Sequence, residues 1–126
     1  MRAVIQRVTS SSVTVDNKII GEIKNGLNVL IGICNDDTIE DLQYVADKII
    51  NLRIFHDEND KMNLCIQDVK GELLIISQFT LYGDCRKGRR PNFMQAKGGE
   101  EAKVLYEKFV DIIKRSGLKV ETGEFG

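Results

Sequence analysis

The chain has 126 residues, of which 42% are hydrophobic, and a formal net charge of −1 at pH 7. Length and composition indicate one globular domain, residues 1–126, and the balanced charge excludes a general polyanion-binding protein, so nucleic acid would need a local basic patch. No apolar run is long enough to span a bilayer, and the N-terminal MRAVIQRV lacks the apolar block of a signal peptide, so we expect a cytoplasmic protein.

The N-terminal third of the chain predicts strands. Residues 2–9 (RAVIQRVT) and 12–15 (SVTV) alternate in polarity and are rich in valine and isoleucine. The Asp-Asn pair at 16–17 is a turn signal, and the extended pattern resumes at 18–23 (KIIGEI). The nearly continuous apolar run at 26–34 (GLNVLIGIC) predicts a strand that is buried on both faces.

The hydrophobic period then changes from that of a strand to that of a helix. The apolar residues at helical spacing are Ile39, Leu42, Val45, Ala46 and Ile49. Either Asp37 or Thr38 can cap this helix, and the helix dipole favours the negative charge of Asp41 in its first turn. A short strand is predicted at 53–55, and a turn at 70–71.

The C-terminal half predicts a strong strand, a second helix and a last strand. The run ELLIISQFTL (72–81) is the strongest strand pattern of the chain, the segment 99–117 has the apolar spacing of a helix, and 118–125 (LKVETGEF) is extended. Together these elements predict an α+β fold with a curved, barrel-like, mainly antiparallel sheet covered by two helices.

The chain carries few of the usual catalytic and metal-binding patterns. Cys34, Cys65 and Cys85 have no CxxC spacing, so we favour reduced thiols over a disulfide framework or a metal site. The single histidine, His56, is interpreted as a loop residue rather than a general base. The acidic turn at 57–60 lacks the pattern of an EF-hand and is interpreted as solvated. The sequence therefore implies no cofactor and no metal.

The end of the predicted strand at 72–81 is the first candidate site. Alternation along a strand places Gln78 and Thr80 on one face and Ser77 on the other. Backbone N–H groups at Tyr82 and Gly83, where the strand should end, could hold a developing oxyanion. On the residues alone, the alternative is favoured, in which these polar groups satisfy the backbone at a sheet edge.

A basic loop, residues 86–93 (RKGRRPNF), follows that strand and is the second candidate site. Its cations are Arg86, Lys87, Arg89 and Arg90. Beside Tyr82 and Phe93 they would suit a phosphate backbone and an unstacked base, although a solvated surface loop is the alternative.

Several blocks of the sequence together resemble the D-aminoacyl-tRNA deacylases, also called D-tyrosyl-tRNA deacylases. These blocks are MRAVIQRV, NLRIFHDENDKMNL, LLIISQFTLYGD, GRRPNF and TGEFG, and they cover essentially the whole chain in order. The resemblance implies a cytosolic homodimer with a barrel-like core that hydrolyses the ester between a D-amino acid and the terminal adenosine of tRNA. It also implies removal of glycine from mischarged tRNA for alanine, an editing step of translation.

The resemblance implies specific site residues. The catalytic set would be Gln78, Phe79 and Thr80, with the backbone N–H groups of Phe79 and Thr80 on the oxyanion. The substrate pocket would be lined by Ser77, Leu81, Arg7 and Ala102. The basic loop would bind tRNA through Arg86, Lys87, Arg89 and Arg90. The implied partners are the 3′ end of aminoacylated tRNA and a second copy of the chain, with no cofactor, metal, membrane or DNA.

One part of the family pattern has no counterpart in this sequence. The family carries a Gly-Pro-Val-Thr motif after its TGxF block, and this sequence reaches Gly126 without it. We therefore expect that a C-terminal segment is missing and that the 126 residues alone select poorly between D and L substrates. Two alternative functions are a non-catalytic dimeric RNA-binding or scaffold module, and a lipid or metabolite carrier that uses the curved sheet.

Overall fold

The computed structural model describes residues 1–125 of the chain. In chain order its elements are β1 (Arg2–Val8), β2 (Ser11–Val15), β3 (Lys18–Ile23), β4 (Gly26–Gly32), α1 (Ile39–Asn51), β5 (Phe55–His56), β6 (Met62–Leu64), β7 (Glu72–Ser77), a 3₁₀ helix (Phe79–Tyr82), α2 (Gly99–Lys114) and β8 (Val120–Thr122). The two helices and the α+β class are confirmed. No helix among residues 1–125 is long and apolar enough to cross a membrane.

The central sheet has four strands in the order β1-β4-β7-β8. The β1–β4 pair is antiparallel, but β4–β7 and β7–β8 are both parallel, so the prediction of a mainly antiparallel main sheet is wrong. Parallel neighbours require long crossover connections, and the segment from α1 to β6 supplies the one between β4 and β7. The remaining strands form the hairpins β2–β3 and β5–β6, and no closed barrel is formed by the described residues.

The strand β4 lies at the centre of the molecule. It carries the buried residues Leu27, Val29 and Ile31 on its helix-facing side, whereas Asn28 and Leu30 on the other side are half-buried, so the predicted burial of both faces is complete on one face only. At Gly26 the strands β4 and β7 approach so closely that any Cβ would overlap the backbone of Glu72. Glycine therefore permits the parallel register that starts with Gly26 opposite Glu72 and ends with Ile31 opposite Ser77.

Both helices cover one face of the sheet and complete a single apolar core. The core includes Leu42, Ala46 and Ile49 of α1, and Tyr106, Phe109, Val110 and Ile113 of α2. Thr38 is the N-cap residue of α1, and its backbone N–H donates to Asp41 Oδ2 at 2.8 Å. That bond lowers the pKa of the Asp41 carboxyl. Asp37, the alternative cap, instead accepts the N–H of Cys34 at 2.7 Å.

The predicted strand at 72–81 is four residues too long at its C-terminal end. Strand β7 ends at Ser77, and Gln78 makes one further bond, from its N–H to the carbonyl of Ile31 at 2.7 Å. Its neighbour β4 ends at Gly32, so the chain beyond Gln78 has no strand to pair with and closes into the 3₁₀ helix. Turning here places the ring of Tyr82 in a buried position.

Candidate active site

A cavity of about 230 Å³ lies where β4 and β7 end, against the first turn of α2. We call it the strand-end cavity. Its lining residues are Ile31, Ile33, Ser77, Gln78, Phe79, Lys97, Gly98, Gly99, Ala102 and Phe125. Ile31 and Ser77 are register partners and both point towards the helix-covered face, which explains why they meet here. The walls suit a small, partly apolar group with polar atoms at the strand ends.

The small residue Ala102 creates the space in this cavity. It lies one turn into α2 and is 3% exposed, and it forms the wall opposite the end of β7. Gly99 begins the same helix with φ of +65°, a conformation that glycine adopts without strain. A larger side chain at position 102 would project into the cavity, so Ala102 sets its size.

The polar end of the cavity is formed by Gln78 and its neighbours in the 3₁₀ helix. The Gln78 side chain donates from Nε2 to Thr80 Oγ1, so the hydroxyl fixes the amide in one orientation. Gln78 lines the cavity, whereas Thr80 does not line it and is linked to it through the bond with Gln78. The two residues therefore meet, although through a turn rather than along a strand.

Two backbone donors directly follow Gln78 in the chain, at Phe79, which lines the cavity, and at Thr80. The first N–H groups of a 3₁₀ helix have no acceptor inside it, and the N–H groups of Phe79 and Thr80 make no hydrogen bond within residues 1–125. By contrast, the N–H of Gly83 donates to the carbonyl of Thr80 at 3.0 Å. The strand pattern predicted free donors at Tyr82 and Gly83. The chain turns before these residues, so the N–H groups without an acceptor are those of Phe79 and Thr80 instead.

Lys97 is a cavity residue that sequence reasoning missed. Its side chain is 17% exposed, and its ammonium lies 3.6 Å from Glu101 Oε2, one turn further along the chain. Its backbone N–H donates to the carbonyl of Ile33 at 2.8 Å, and this bond holds the segment before α2 against the end of β4. The spacing of Lys97 and Glu101 in sequence signals the ion pair, but no pattern places Lys97 beside β4, which ends 65 residues earlier.

The basic loop lies next to the cavity, and backbone hydrogen bonds join its two ends. Asp84 and Asn92 exchange two backbone hydrogen bonds, both of 2.7 Å. The Asp84 carboxylate also accepts from the Arg86 guanidinium, at 2.7 Å from Nη2. These bonds to Arg86 lower the pKa of the Asp84 carboxyl to about 2. Arg86 is thus committed to the loop itself.

The three remaining cations of the basic loop form no ion pair within residues 1–125. They are Lys87, Arg89 and Arg90. Lys87 and Arg90 line a groove of about 610 Å³ together with Pro91, Asn92 and Phe93, among others. We call it the basic groove. Its cations are available for phosphate groups.

Two of the residues implied by the resemblance lie away from the cavity in this chain. Arg7 is opposite Leu27, at the far end of β4 from Ile31, and donates to the carbonyl of Ile54 at 2.7 Å. Leu81 belongs to the 3₁₀ helix but does not line the cavity, and its carbonyl accepts from Arg2 Nη1 at 2.8 Å. Within one chain neither side chain lines the cavity, so their role in substrate binding stays a prediction.

Other titratable groups lie elsewhere. His56 is the last residue of β5 rather than a loop residue; its Nδ1 lies 3.3 Å from Asp60 Oδ1 in the loop that follows, and it does not line the cavity. Tyr82 lies beneath the Arg2 guanidinium, which is 4.5 Å from its ring centre, and burial raises its pKa to about 12. Among residues 1–125, no group of three or more His, Cys, Asp or Glu residues could hold a metal ion.

Comparison with known proteins gives a consistent result. Residues 4–126 match the family model described as D-Tyr-tRNA(Tyr) deacylase. The chain is 75% identical to a D-aminoacyl-tRNA deacylase of Clostridium beijerinckii, over all of this chain and 85% of that protein. It is 66% identical to a D-aminoacyl-tRNA deacylase of Clostridium perfringens, with the same coverage.

Two solved structures also resemble this chain. The structure of a c-Myc DNA unwinding element binding protein superposes with a TM-score of 0.94 at 39% identity, over 100% of this chain and 86% of that one. A probable eukaryotic D-amino acid tRNA deacylase superposes with a TM-score of 0.83 at 19% identity, over 98% of this chain and 88% of that one. The second likeness shows a shared fold.

Proposed function

Since this chain belongs to the D-Tyr-tRNA(Tyr) deacylase family, we propose that its strand-end cavity binds the aminoacyl group of D-aminoacyl-tRNA and hydrolyses the ester. The observation that carries the proposal is the pair of unpaired N–H donors at Phe79 and Thr80, which directly follow Gln78, a residue at the polar end of a partly apolar cavity. Donors of this kind stabilise the oxyanion that forms when water adds to an ester carbonyl.

The reaction needs positioning and electrostatic stabilisation rather than a nucleophilic side chain. Water adds to the carbonyl carbon, and the carbonyl oxygen takes up negative charge against the two N–H groups. The bond to the ribose oxygen then breaks, which releases the free amino acid and tRNA, with a proton passing from water to the ribose oxygen. An aminoacyl ester is already activated, and the vicinal 2′-hydroxyl of the ribose can assist the water.

The residues of the cavity and of the basic loop have separate parts in this scheme. Gln78, whose amide is fixed by Thr80, orients the ester so that its carbonyl oxygen meets the two N–H groups. Ala102 and Ser77 define the space for the amino acid. The unpaired cations of the basic loop hold phosphates of the acceptor end, and Arg86 supports the loop through Asp84.

The proposal extends to the biological setting. Removal of D-amino acids, and of glycine from mischarged tRNA for alanine, would be an editing step of translation in the cytoplasm. A homodimer is proposed on the same basis, and a partner subunit would offer Arg7 a site that its own chain does not.

The decisive experiment is single-turnover hydrolysis of D-tyrosyl-tRNA, L-tyrosyl-tRNA and glycyl-tRNA for alanine. We expect the D and glycyl esters to be cleaved, with most of the rate lost in Gln78→Ala. Tyr44→Leu is the matched control, since Tyr44 is an exposed residue on α1. If none of the three esters is hydrolysed, the proposed function is contradicted. An unchanged rate in Gln78→Ala would contradict the proposed site.

The second candidate function is a non-catalytic nucleic-acid-binding module. The relative described as a c-Myc DNA unwinding element binding protein favours it, together with the unpaired cations of the basic groove. The two functions are separated by competition between tRNA and duplex DNA, measured alongside hydrolysis. Preference for duplex DNA without ester cleavage would support the second candidate, and we expect the reverse.

A further inference from the structure

The aromatic ring of Phe79 occupies an unusual place between two sites. It lines the strand-end cavity, yet Phe79 is 53% exposed. Its ring meets the ring of Phe93 edge-on, with 5.2 Å between the centroids and an interplanar angle of 68°. Phe93 in turn lines the basic groove. The two rings therefore connect the cavity for the amino acid with the groove that carries the cations.

The position of Phe93 is fixed from several sides. The Asp84–Asn92 bridge closes the chain just before it, and its Cε1 would lie 3.0 Å from a Cβ at Gly83. Glycine at position 83 thus leaves room for the Phe93 ring. With Phe93 held in place, the edge-on contact between the two rings limits the positions open to the exposed Phe79 ring. A merely solvated loop has no need for such a braced, exposed aromatic ring.

We propose that the exposed ring of Phe79, braced by Phe93, is a stacking platform for an unpaired base at the 3′ end of the tRNA. This inference rests on the proposed function, because it requires the aminoacyl group in the strand-end cavity. A 3′ end placed there must pass from the cavity to the basic groove, and the Phe79 ring lies on that route. Its apolar face offers the base a stacking surface while Lys87 and Arg90 neutralise the flanking phosphates.

A short RNA ending in CCA, uncharged at its 3′ end, tests the platform without any chemistry. Single 2-aminopurine substitutions report stacking, because the fluorescence of this base falls when it stacks on an aromatic ring. We expect quenching at one position near the 3′ end in the wild-type protein. Phe79→Leu should remove the quenching and weaken binding about 5- to 100-fold, the usual range for one stacked base.

Three further variants make the result specific. Phe79→Tyr keeps an aromatic face and should retain both quenching and affinity. Phe93→Leu removes only the brace and should give an intermediate loss. Tyr44→Leu removes an exposed ring on α1 and should bind and quench like the wild type. Thermal melting of each variant establishes that it is folded before binding is measured.

The outcomes separate this inference from the proposed function. If wild-type protein hydrolyses D-tyrosyl-tRNA while folded Phe79→Leu and Phe93→Leu bind and quench the RNA like the wild type, the platform is overturned and the function stands. If the wild type quenches the probe and Phe79→Leu does not, the platform stands, even if no ester is hydrolysed and the proposed function fails.

Discussion

Replacing Thr80 by valine should slow hydrolysis because it frees the amide of Gln78. Valine keeps the shape of threonine and removes only the hydroxyl that accepts from Gln78 Nε2. A neutral hydrogen bond of this kind is worth about 0.5–1.5 kcal/mol, which corresponds to a rate reduced about 2- to 12-fold if the bond acts only through orientation of the ester. Because Thr80 is exposed, the free energy of unfolding should change by less than about 0.5 kcal/mol.

A double-mutant cycle of single-turnover rates on D-tyrosyl-tRNA tests this reasoning. If Thr80 acts through Gln78, Thr80→Val should cost little more once Gln78→Ala has already been made. Equal fold-losses from Thr80→Val in the wild-type and Gln78→Ala backgrounds would refute it. Such additivity would mean that the Thr80 hydroxyl contacts the substrate or water directly.

Three further predictions concern the loop, the strand end and the core. Changing the three unpaired cations of the basic loop to glutamine should flatten the log–log dependence of tRNA affinity on salt by about 0.7 per lost contact, whereas Arg86→Gln should act chiefly by loosening the loop. Gly32→Ala would place a Cβ 3.0 Å from Leu81 Cβ, so urea denaturation should show a loss of about 1–3 kcal/mol, with slower hydrolysis from a displaced 3₁₀ helix. Tyr106→Phe removes a buried bond of 2.9 Å to the carbonyl of Ile75 and should cost about 0.5–1.5 kcal/mol. Burial raises the pKa of Tyr106 to about 12, so wild-type stability should fall between about pH 10 and 12, and this component should be absent in the variant.

Local signals predicted those parts of the fold that depend on nearby residues. The turn at Asp16 and Asn17 has φ of +50° and +66°, as expected for residues that tolerate the left-handed region. The cap at Thr38 is one of the two positions that the sequence offered, the other being Asp37. The end of β7 was not evident from the sequence, because its position depends on where β4 stops, 40 or more residues earlier in the chain.

The same distinction applies to the candidate site. Ser77, Gln78 and Phe79 are contiguous, so one motif was enough to bring them together. Lys97 and Phe125 reach the cavity only through the packing of α2 and the C-terminal segment, which no spacing in the sequence encodes. The pairing of Arg86 with Asp84 was likewise invisible, since a run of cations looks the same whether or not one of them is neutralised.

Two of the three polar side chains that line the cavity, Gln78 and Lys97, belong to one excursion of the chain, residues 78–98, between β7 and α2. Three backbone hydrogen bonds tie this excursion to the end of β4 and the residues just after it: Gln78 bonds to Ile31, Lys97 to Ile33, and Gln95 accepts from Asn35. The part of this excursion that follows the buried Tyr82 can therefore open while the four-stranded sheet and both helices stay intact, as a local unfolding unit of its own. Amide protons in it should exchange long before those of β4. On heating, the activity would then disappear several degrees below the temperature at which circular dichroism detects melting.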